Sequence, residues 1–82
     1  MTYQAQAKTV AEGLIQDPDC AFQNMDVLLG VLETELNQRF GTWNKLSLTS
    51  ETDLDGLSDE MARAACEILP SLNLSFRPAP DA

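Results

Sequence analysis

MDVLLGVLETELNQRF, residues 25–40, places its large apolar side chains at Met25, Leu28, Leu29, Leu32, Leu36 and Phe40. Steps of three and four repeat along one side of an α-helix, so this stretch predicts a helix with one face turned to a core. Asp26, Glu33, Thr34, Glu35, Asn37 and Gln38 fall on the other side and are expected to face water. The remainder of the chain reads as what this helix packs against or is joined to. The fold class is mainly α: a small three-helix arrangement with helices over about 2–16, 18–40 and 51–69.

Upstream, Tyr3, Ala7, Val10 and Leu14 form one stripe, widened by Ala11 and Ile15, and Thr2 suits an N-cap. Gly13 costs about 1 kcal/mol relative to alanine inside a helix, so the last turn is expected to fray or to pack closely on a neighbour. Asp17-Pro18-Asp19 ends this helix, because the residue before a proline avoids helical geometry. The same proline suits the first position of a second helix, with Asp17 as its cap. Asn24 is an alternative cap, which leaves open a short turn followed by a helix from Met25. Gly41 is placed to close the helix in the left-handed conformation.

Downstream, Leu46 and Leu48 alternate with polar residues, the two-residue period of extended chain. Ser50, with Asp53 three positions on, resembles a capping box and predicts a third helix start. Leu54, Leu57, Met61, Ala64, Ala65 and Ile68 supply its stripe, and Pro70 is expected to stop it. Residues 71–76 alternate again, so a two-stranded ribbon of 45–49 with 71–76 is open. Residues 1–76 are expected to form one small helical domain and 77–82 a flexible tail.

Size and charge bound the function. A chain of 82 residues buries only about 60–65% of the surface its unfolded form exposes, which leaves monomer and homodimer equally open. Thirteen acidic residues against five basic ones give a net charge of −8, with no histidine. Such a chain repels phosphate backbones and anionic membranes, so neither nucleic acid nor a membrane is expected as a direct partner, whereas a basic protein is. The same acidity serves solubility. Cys20 and Cys66 form no Cys-x-x-Cys pair, and no apolar run approaches the roughly 20 residues that span a bilayer. Buried or half-buried thiols in a reducing, cytoplasmic setting are expected.

Catalysis is not expected. Without histidine there are no triads, Cys–His dyads or histidine-containing metal sites, and the four glycines are isolated rather than gathered in a phosphate loop. Glu51, Asp53, Asp55 and Asp59 around Gly56 have the alternate spacing of a calcium loop. The twelfth position, where a bidentate glutamate belongs, is Ala62. The acidic run therefore reads as a helix start whose carboxylates complement the dipole, and no metal or cofactor is expected. The length, the acidity and a helix ending in Arg39-Phe40-Gly41 resemble acyl carrier proteins. That family carries its phosphopantetheine arm on a serine at the start of its second helix. The first serine here is Ser47, and Ser58 in Gly56-Leu57-Ser58-Asp59 is a poor substitute, so the resemblance implies no carrier activity.

The expected function is a non-enzymatic, acidic protein-binding module that regulates or inhibits a basic protein partner. The alternative is an inhibitor that mimics nucleic acid to block a DNA- or RNA-binding protein; a third reading is a homo-oligomeric structural protein. Candidate partner-binding residues are Trp43, the type enriched at interface hot spots, and the carboxylates Glu33, Glu35, Glu51, Asp53, Asp55, Asp59 and Glu60. Carboxylates on rigid elements can occupy a basic groove as spaced phosphates do.

Overall fold

The computed structural model describes residues 2–22, 24–42 and 46–76, with side chains as far as Asn73. Trp43, Lys45 and the 77–82 tail lie outside the described residues. The elements are α1 (Tyr3–Gln16), α2 (Met25–Phe40), a 3₁₀ turn over Glu51–Gly56, and α3 (Asp59–Phe76).

α2 forms where its apolar spacing requires. The Asn24 side chain accepts from the Val27 N–H at 3.0 Å, and Gly41 closes the helix at φ 65°, its N–H bonded to the Asn37 carbonyl. Leu28, Leu29, Leu32 and Leu36 are fully buried. Each such leucine contributes about 1.5–3 kcal/mol of burial, so this row is a major block of apolar stabilisation. α1 is capped by Thr2, whose hydroxyl accepts from Ala5 N at 3.1 Å, and its fully buried residues are only Ala7 and Ala11. Small side chains let it lie close to α3, the helix it contacts most. α3 gives Ala62, Ala64, Ala65, Ile68, Leu69 and Leu72 to the same core, which Phe22, Leu48, Leu54 and Leu57 complete.

Several expectations change. The second helix starts at Met25, not Pro18. The Asp17 carboxylate caps a single turn instead, accepting from Asp19 N at 2.9 Å, while Cys20 N reaches the Asp17 carbonyl. The third helix starts at Asp59, not 51. The first acidic turn is 3₁₀, and a break at Leu57-Ser58 follows it before the Ser58 hydroxyl accepts from Met61 N at 3.2 Å. That break lets Leu54 and Leu57 both turn into the core. Pro70 does not stop α3, which continues to Phe76. An interior proline costs about 3 kcal/mol. Here it sits on the exposed side, and buried Leu69, Leu72 and Asn73 hold the last turns against the core. The 71–76 stretch is therefore helical, and the described residues contain no strand and no ribbon. Gly13, finally, neither frays α1 nor makes a close approach, since nothing lies within 4 Å of where a Cβ would stand.

Two polar side chains expected to face water are instead used in packing. Asn37 is buried and accepts from the Thr42 hydroxyl at 2.7 Å, which fixes the exit from α2. Glu33 is half-buried and accepts from Leu48 N at 2.7 Å, holding the 46–49 segment against α2. Asn73 does the same for the other connection: its side-chain oxygen accepts from Ala21 N at 2.8 Å, tying the α1–α2 loop to α3.

Candidate functional site

Gln4, Lys8 and Glu12 recur every fourth residue and so share one side of α1. Across from them, Asp59, Asp55 and Glu51 recur every fourth residue in the opposite chain direction. The two rows meet rung by rung. Gln4 Nε2 donates to the Leu57 carbonyl at 2.7 Å and to Asp59 Oδ1 at 3.1 Å. Lys8 Nζ pairs with Asp55 Oδ2 at 3.2 Å. The third rung brings two like groups together, the carboxyls of Glu12 and Glu51. Two ionised carboxylates are acceptors only and repel, so this contact wants a proton or another cation between them. The Glu51 carboxyl is accordingly pushed above the usual glutamate range, first by its hydrogen bond with Glu12, then by burial and by the Glu12 charge; Lys8 opposes the shift.

This third rung opens onto a surface groove of about 510 Å³, lined by Lys8, Glu12, Met25, Asp26 and Thr49–Thr52. Three carboxylates thus face an opening whose one cation among the described residues, Lys8, is already engaged by Asp55. Met25 adds an apolar wall. The opening can take a cationic group with an aliphatic stem, the shape of a lysine or arginine side chain.

The structure brings Glu51, Asp55 and Asp59 onto one edge but turns the other described candidates elsewhere; Trp43 lies outside the described residues. Asp53 points back along the chain: its Oδ2 accepts from Thr49 N at 2.7 Å, Ser50 N at 3.0 Å and the Thr49 hydroxyl at 2.9 Å. These bonds hold its carboxyl below the usual aspartate range. Glu33 is spent on Leu48 N, and Glu35 lies about 200° around α2 from it. Glu60 is exposed in the first turn of α3. Glu51, Asp53, Asp55 and Asp59 therefore face four different partners instead of one point, and among the described residues no group of three or more acidic or cysteine side chains could hold a metal ion. The Cys66 thiol is pushed up by burial, and its Sγ lies 3.5 Å from the Tyr3 carbonyl, the setting of a packing thiol.

Gln4, Lys8, Glu12 and Asp26 did not emerge from the sequence as site residues. The four-residue spacing of Gln4, Lys8 and Glu12 is visible in the sequence, but nothing local says that α1 and the acidic run lie side by side in opposite directions. Among the described residues, no helix is long and apolar enough to cross a membrane. The chain matches no protein-family model, no curated protein and no solved structure.

Proposed function

We propose that this protein is a non-enzymatic binding module that regulates or inhibits a basic protein partner, and that it does so through the groove beside the Glu12–Glu51 rung. The observation that carries the reading is the lining of the groove: Glu12, Asp26 and Glu51 share it with Lys8, which Asp55 already engages. A lysine or arginine at either position of the Glu12–Glu51 rung would complete the row in the manner of Lys8 and Asp55. Two glutamates instead leave a repulsive contact at the mouth of an open groove, as expected where stability is exchanged for recognition. A partner's lysine or arginine side chain inserted there relieves the repulsion and gains two charge-assisted hydrogen bonds. Asp26, Asp55, Asp59 and Glu60 extend the negative field and raise the encounter rate with a basic surface.

Glu12→Lys tests this, because it supplies from within the cation that a partner would bring. The variant should unfold at a higher temperature than the parent and capture less basic protein from a nuclease-treated lysate. Undiminished capture by a stabilised Glu12→Lys protein would move the interface away from the groove.

Nucleic-acid mimicry is a narrower form of the same reading. It is favoured by the fixing of Asp55 and Asp59 through Lys8 and Gln4, which holds two carboxylates at set positions as a phosphate backbone would. It predicts that the captured partner binds DNA or RNA, and that added duplex competes with this protein for it. A partner indifferent to nucleic acid leaves the broader reading alone.

A further inference from the structure

We draw no further inference here: the strongest candidate, the uncharged outer strip of α2 formed by exposed Val27, Gly30 and Thr34, carries nothing because nothing in the structure shows what covers it.

Discussion

Glu51 and Asp53 sit two positions apart in one turn and respond to protons in opposite directions. Glu51 has a raised folded-state pKa, so the folded chain holds its proton more tightly than the unfolded chain. Its contribution to stability is complete below the ordinary glutamate value and is lost as pH rises through the raised one. Asp53 has a lowered pKa through the Thr49 and Ser50 bonds, so its contribution is present above the ordinary aspartate value and is lost as pH falls through the folded one. Carboxyl-carbon NMR titration should find Glu51 titrating above Asp53 by more than the difference between free side chains. Glu12→Gln should bring Glu51 back toward the ordinary glutamate range and leave Asp53 unmoved. An unchanged Glu51 titration in that variant would show that the two carboxyls do not meet. The sequence alone suggested Asp53 as a reciprocal partner of Ser50, because capping chemistry is local. The partners of Glu51 and Asp55 lie more than thirty residues away, and no local rule reaches that far.

The elements separate what periodicity can decide from what it cannot. α1 and the body of α2 are legible because apolar stripes and caps are properties of a single helix; Thr2 and Gly41 act as their residue types suggest, and α2 takes the Asn24 cap that the sequence offers as the alternative to Asp17. The start and end of α3 are not, because both depend on tertiary burial: Leu54 and Leu57 turn inward across a break, and Leu72 with Asn73 carries the helix past a proline. The two helix-associated glycines of α2 should then behave oppositely. Gly41 needs φ near 65°, so Gly41→Ala should lower the unfolding free energy by about 1–2 kcal/mol. Gly30 has open space where a Cβ would stand, so Gly30→Ala should raise it by about 0.5–1 kcal/mol. Urea unfolding followed by circular dichroism measures both, and equal signs would contradict the assigned backbone. Asn73→Leu should cost about 1–3 kcal/mol by leaving the Ala21 N–H without its acceptor, although leucine is the more apolar side chain. A neutral or stabilising result would mean that Ala21 finds another partner.

At the scale of the molecule, the fold divides its acidic residues by use. Glu33 and Asp53 accept backbone N–H groups and hold segments in place, whereas Glu12, Asp26 and Glu51 face an open groove beside Lys8, which Asp55 engages. Composition showed that the chain is acidic, but it could not show this division, which depends on the antiparallel register of α1 against the 51–59 segment. On the proposed function, a basic partner is recognised by charge at that groove. The most direct measurement is capture of partners on the immobilised full chain from a nuclease-treated lysate of its own organism, eluted along a salt gradient. Basic proteins should be captured and should leave at a few hundred millimolar salt, where exposed charges more than several ångströms apart are screened. A partner that remains through high salt and leaves only in denaturant would contradict recognition by charge, and would assign it to apolar contact instead.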